Sequence, residues 1–215
     1  MKLIFNISDL EFLEDLSGKT FYPLMEGVFA PFISSEVYIR QRLPASAPTV
    51  IYPTESKFLF TTGQWKTTHT YVCAGYYLIG KYPQRIFINF KDLSAINLKR
   101  KIYKVYLRLI GMFDEINLPT QIFAHKIETG WQGITNWNEQ PIYSKMPTTS
   151  SIVSNAMDNQ YFWDVTDSVL EWSSGLSPNN EIALKSNETL LISTGKCFYN
   201  LDPVKKPSLL VYYID

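Results

Sequence analysis

A chain of 215 residues with 46% hydrophobic content can bury one substantial core, and its length fits a single large domain. Twenty basic residues balance twenty acidic ones, so no global field draws the protein to nucleic acid or to an anionic membrane surface. Aromatic residues make up 15% of the chain, with 14 Tyr and 13 Phe, a composition that favours pleated, half-buried surfaces over helices.

The chain opens on Lys2 to Ile7, which reads as a strand, an apolar run shorter than the core of an export signal and followed at once by acids. The expectation is therefore a protein without a signal peptide, made in the cytoplasm. No window approaches the roughly 18 apolar residues of a membrane-spanning helix, so no membrane insertion is expected. Ser8-Asp9-Leu10-Glu11 has the form of a capping box, and Leu10, Leu13 and Leu16 recur near helical spacing before Gly18, which predicts a short helix from Asp9 to Ser17. With the Phe-, Pro- and Gly-rich stretch that follows, residues 1–31 read as an N-terminal arm. Such an arm either completes its own domain or lies across a neighbouring subunit by strand addition.

Residues 32–215 read as one β domain. Short apolar or alternating runs separated by turn residues predict strands at Glu36 to Leu43, Lys57 to Thr62, His69 to Ile79, Arg85 to Phe90, Ile102 to Phe113, Gln121 to Glu128, Gln160 to Val165, Glu181 to Lys185, Leu190 to Ser193 and Ser208 to Ile214. Many strands and few helices give an all-β, antiparallel sandwich or jelly roll with one or two short helices. Tyr103, Val105, Leu107, Leu109 and Gly111 share one parity against Lys104, Tyr106, Arg108 and Ile110, the pattern of a central strand. Thr166 to Ser173 reads as a helix, capped by Thr166 or Asp167, with Val165, Val169 and Trp172 on one face and Gly175 ending it. The stretches Pro44 to Pro48 and Met146 to Ser151 read as surface loops. Cys73 and Cys197 can form one bridge or two buried thiols; the habit of free Cys to pack as a small hydrophobe favours the thiols.

Two words of sequence stand out: Gly130-Trp131-Gln132-Gly133-Ile134-Thr135-Asn136-Trp137-Asn138-Glu139-Gln140-Pro141, and Trp163-Asp164-Val165-Thr166-Asp167 running on to Trp172. In order and spacing they resemble the DNRLRE family, and the likeness runs from about Tyr71 to the closing Lys206-Pro207-Ser208-Leu209-Leu210-Val211-Tyr212-Tyr213. The resemblance implies a β-sandwich appended to surface, cell-wall and carbohydrate-active proteins, some members being carbohydrate-binding modules, without catalytic machinery or cofactor. The first seventy residues, and Gly195 to Asn200 where the family carries a Ser-rich segment, depart from that pattern.

Within the motif, Trp131, Trp137, Trp163 and Trp172 are expected in the core, with Asn138 and Gln140 bonding local backbone. Trp65, in the polar stretch Gly63 to Thr68, is the candidate exposed aromatic, and with Tyr71, Tyr76, Tyr77 and Tyr82 it forms a candidate sugar shelf or subunit contact. Nothing reads as catalytic or metal-binding. The two histidines, His69 and His125, accompany no nucleophile motif, and His69 and Cys73 lie about 13 Å apart along a strand. Asp164, Asp167 and Glu171 are explained by capping and solvation, and Lys99-Arg100-Lys101 with Lys104 by a solvated hairpin. The expectation is a non-enzymatic structural subunit of a surface assembly, such as a spore layer, appendage or virion. It is a homo-oligomer through its arm, with polysaccharide binding as the alternative.

Overall fold

The structure, a computed structural model, describes residues 21–25, 28–31, 47–60, 70–77, 82–114, 118–130, 136–154, 157–176, 181–188 and 194–214. Strands β1 (Phe21–Met25) and β2 (Val28–Pro31) form a two-stranded antiparallel sheet of their own. The helix predicted at Asp9 to Ser17 and the strands predicted at Lys2 to Ile7, Glu36 to Leu43 and Leu190 to Ser193 lie outside the described residues.

Eleven further strands make one antiparallel sheet that curls on itself into an all-β sandwich. They are β3 (Thr49–Ile51), β4 (Glu55–Phe60), β5 (Tyr71–Tyr77), β6 (Tyr82–Asn89), β7 (Lys101–Asp114), β8 (Thr120–Lys126), β9 (Thr149–Val153), β10 (Gln160–Asp164), β11 (Glu181–Ser186), β12 (Lys196–Tyr199) and β13 (Ser208–Ile214). The order is β3-β13-β7-β12-β5-β6-β11-β8-β9, with β10 added on β7 and β4 on β6. The long strand β7 is central, as its alternation predicts. It pairs with β13 from Lys101 to Arg108, with β10 from Tyr106 to Ile110, and with β12 from Gly111 to Asp114.

One parity of each strand fills the core. Val105, Leu107 and Leu109 of β7 and Leu209, Val211 and Tyr213 of β13 meet Ile86 and Ile88 of β6, Ile122 and Ala124 of β8, and Ile182 and Leu184 of β11. Trp163, fully buried on β10, crosses this interior: its ring lies edge-on to Phe198 and its Nε1–H donates to the Ile122 carbonyl at 2.8 Å. The indole thus buries its large apolar face while its one donor is satisfied.

Helix α1 (Thr166–Ser173) matches the predicted span and buries Val169 and Trp172, with Val165 buried just ahead of it. Its cap differs from expectation. Val165, rather than Thr166 or Asp167, stands at the N-cap without a side-chain cap bond, and Asp164 Oδ1 just ahead of it receives the Thr166 N–H at 3.1 Å and the Thr166 hydroxyl at 2.6 Å. At the other end Gly175 has φ +76°, and Gly175 and Leu176 donate back to Trp172 and Glu171. That left-handed closure is open to glycine at little cost.

Two expectations are corrected. Thr149 to Ser151 does not belong to a surface loop but opens β9, which pairs with β8; its Ser-rich face hid the alternation that buries Ser151 and Val153. Cys73 and Cys197 are not free thiols. They face each other directly across β5 and β12 with Cα atoms 4.2 Å apart, and form a disulfide buried in the core. A bridge between residues 124 apart in sequence removes about 5 kcal/mol of unfolded-chain freedom in the loop-entropy account. Beside it, Gly75 (φ +129°) marks where β5 passes from β12 to β6; a Cβ there would stand 2.3 Å from the Thr194 carbonyl oxygen.

Candidate functional site

The tyrosines singled out by sequence divide between different surroundings. Tyr71 and Tyr82 belong to one aromatic row at the margin of the core. Phe113 meets Tyr71 edge-on at 5.2 Å, Phe58 follows at 6.0 Å, then Phe60, and Tyr82 stacks on Phe60 at 5.1 Å. Tyr76 is tied by its main chain to Thr194, accepting at its carbonyl and donating its N–H to the Thr194 hydroxyl at 2.9 Å. Tyr77 pairs with Tyr82 in the β5–β6 ladder, and its side chain lies outside the described residues. Trp65 also lies outside them, as do His69 and Trp131.

The Trp-Asn-x-Gln-Pro word builds a strap across the outer face of β6, β11 and β8. Trp137 is half-buried rather than a core residue. It opens a 3-10 turn (Trp137–Glu139) and packs on a second apolar cluster of Leu59, Phe87, Ile127 and Ala183. Asn138 contributes its backbone N–H, which the Asn136 side chain accepts at 3.0 Å, so Asn136 does the bonding expected of the Asn138 amide. Gln140 behaves as predicted, donating to the Trp137 carbonyl at 2.7 Å.

Arg85 holds the strap down. Its fork meets both oxygens of Glu188, at 2.7 and 2.5 Å, and Nη1 donates to Gln140 Oε1 at 2.6 Å. The guanidinium carbon lies 4.3 Å from the centre of the Trp137 ring. A planar cation with three hydrogen bonds and its face against indole is a strong clamp. His125, on β8 beneath the strap, donates Nδ1–H to the Ser144 carbonyl at 2.8 Å and sits edge-on to Tyr143. Burial pushes its pKa below the ordinary histidine value, with Lys185 and Arg85 adding to the fall against the opposing Ser144 bond.

The acids are also engaged. Asp164 pairs with Lys104 at 2.6 Å, and the Lys104 and Thr166 hydrogen bonds outweigh the upward pull of burial to leave its carboxyl below the usual range. Glu171 pairs with Lys126, and Asp167 lies in the first turn of α1. In the basic run, Lys99 closes a turn on Asn97 and Arg100 lies over the Tyr213 ring at 4.9 Å.

No protein-family model matches the chain, and no curated protein does. The site is therefore read from its own geometry.

Two features escaped the sequence reading. A cleft of about 290 Å³ opens between the β3–β4 turn and the loop after β12, lined by Glu55, Ser56, Asn200 and Lys206 among others. Beside it Tyr52 is 42% exposed, with the Lys206 ammonium 4.3 Å over its ring. The second is the outward face of β3, β13, β7 and β10. There Tyr106 meets Phe162 and Tyr212 edge-on at 6.3 and 6.2 Å, Leu210 packs with them, and Arg108 lies in the adjacent row. Burial raises the Tyr212 phenol above its ordinary value, against the pull of Arg108. The signal for this face was an arginine flanked by Tyr106 and Ile110 on the parity opposite the core.

Proposed function

We propose that the protein is a non-enzymatic structural subunit of a surface assembly, built on a DNRLRE-like β-sandwich and joined to further copies through its N-terminal arm. The observation that carries this reading is the hairpin β1–β2. Among the described residues its strands pair only with each other and with no strand of the sandwich. Its sequence, Phe-Tyr-Pro-Leu-Met and Val-Phe-Ala-Pro, is apolar throughout. A lone two-stranded hairpin is marginal in water, so such an element calls for another surface to cover it. The buried disulfide supports display in an oxidising setting, as on a spore, virion or cell surface. The test is light scattering and electron microscopy of the full-length protein beside a copy lacking Met1 to Pro31. Full-length protein should assemble and the shortened one should not; a full-length chain that stays monomeric at high concentration refutes the proposal.

A second reading, recognition of polysaccharide, is favoured by the cleft beside Tyr52, where an exposed ring adjoins carboxylate, amide and ammonium groups. A glycan array read with Tyr52→Ala and Trp65→Ala controls tests it; a blank array removes it.

A further inference from the structure

The cleft between the β3–β4 turn and the loop after β12 has walls that the fold itself fixes. On one side Thr54 donates its N–H to the Asn89 carbonyl at 2.8 Å and accepts the Lys91 N–H on its hydroxyl at 3.2 Å, which ties the turn to the end of β6. On the other, Asn200 donates its N–H to the Thr70 carbonyl at 2.8 Å, and Asp202 Oδ1 accepts the N–H groups of Val204 and Lys205 at 2.9 and 2.8 Å. Ser56 and Asn200, both buried, line the cleft, and the Ser56 hydroxyl donates to the Asn200 side-chain oxygen. A hollow of about 290 Å³ with polar side chains held in place is a preformed site for one small unit of a ligand.

The charges around it are matched with one exception. Glu55 pairs with Lys57 at 2.8 Å, and Lys205 with Asp158 at 2.6 Å. Lys206 lines the cleft, and among the described residues no carboxylate pairs with it; its ammonium lies 4.3 Å over the Tyr52 ring. An ammonium carries three donors, and attraction to an aromatic face leaves them able to meet an anion. Glu55, one pairing made, keeps acceptor positions for hydroxyl groups. The exposed rings and chains of Tyr52 and Leu201 give the mouth an apolar rim.

We propose that this cleft is the subsite for a uronate residue of an acidic polysaccharide, a proposal that rests on the polysaccharide reading above and names its ligand class. The sugar carboxylate meets the Lys206 ammonium, a C–H face of the pyranose lies against Tyr52, and ring hydroxyls bond Glu55 and the Asn200 amide. A neutral sugar would leave the Lys206 charge unused. A bare carboxylate would use neither the aromatic rim nor the Glu55 acceptors. A sugar that carries its own carboxylate uses all three.

The test is calorimetry on the full chain with oligogalacturonate, oligoguluronate and hyaluronan fragments, each beside its carboxyl-reduced, uncharged counterpart. A uronate should bind roughly tenfold more tightly than its reduced form, as expected for one charged hydrogen bond, and its affinity should fall as salt rises. Lys206→Gln should remove that tenfold preference and leave the reduced form bound as before, whereas Lys206→Arg should keep the preference. Tyr52→Ala should weaken both forms. If glycans bind but charged and reduced forms bind alike, or Lys206→Gln keeps the preference, the uronate subsite is wrong although the polysaccharide reading stands. A glycan array that is blank for acidic and neutral sugars refutes both.

Discussion

The two outer faces of the sandwich each place an arginine among aromatic rings, and they finish the arrangement differently. On the face of β6, β11 and β8 the chain supplies its own cover: the strap brings Trp137, Tyr143 and Gln140 to Arg85, and Glu188 fills the fork. On the face of β13, β7 and β10, Tyr106, Leu210 and Tyr212 are buried, and among the described residues Arg108 beside them has one long bond, to the Val204 carbonyl, with its Nε unpartnered. An arginine whose fork is filled within the chain clamps the fold, whereas one held by a single long bond adds little to it.

The comparison can be broken most forcefully at Arg85. Arg85→Ala leaves Glu188, whose side chain is 15% exposed, with only the longer Lys185 pair at 3.6 Å, and should cost about 3 kcal/mol in denaturant unfolding. A loss below about 1 kcal/mol would mean that the strap is held by something else. Next, replacing Cys73 and Cys197 together with serine should cost about 2–5 kcal/mol and destabilise both faces, since the bridge belongs to the shared core. The strap face should also respond to acid. Folding depresses the His125 pKa, so the folded state favours neutral His125, and its contribution is whole above the unfolded value near 6.5 and declines as pH falls below it. Protection of strap amides, taken relative to their intrinsic exchange rate at each pH, should fall in acid, and His125→Gln should flatten that dependence. Arg108→Gln, by contrast, should change stability by less than about 1 kcal/mol, because it gives up only one long bond. Smallest of all, Lys104→Ala breaks a pair in which both side chains are 37% exposed and should register at about 0.5 kcal/mol or less.

Much of this architecture was legible in the residues. Alternation located β7 and its central position, and periodicity with Gly175 bounded α1. What escaped was pairing at a distance. Cys73 and Cys197 stand on strands whose adjacency depends on the order β7-β12-β5, which no local pattern states. Strand β9 was masked by serines that satisfy a half-buried edge without apolar alternation. Ahead of the two helical turns, Asp164 and Asn136 rather than their neighbours accept the free N–H, because a one-residue shift in backbone conformation decides which oxygen faces it. For the sites, the motif tryptophans were visible by type, but Arg85 and Arg108 look alike in sequence, and only cross-strand register shows that one meets Glu188 and the other does not.

The most direct measurement is hydrogen–deuterium exchange on the full-length protein across a concentration series. Protection of residues 21–31 should rise with concentration while that of residues 82–89 and 181–186 stays level. Protection of the hairpin that ignores concentration would contradict the proposed assembly through the N-terminal arm.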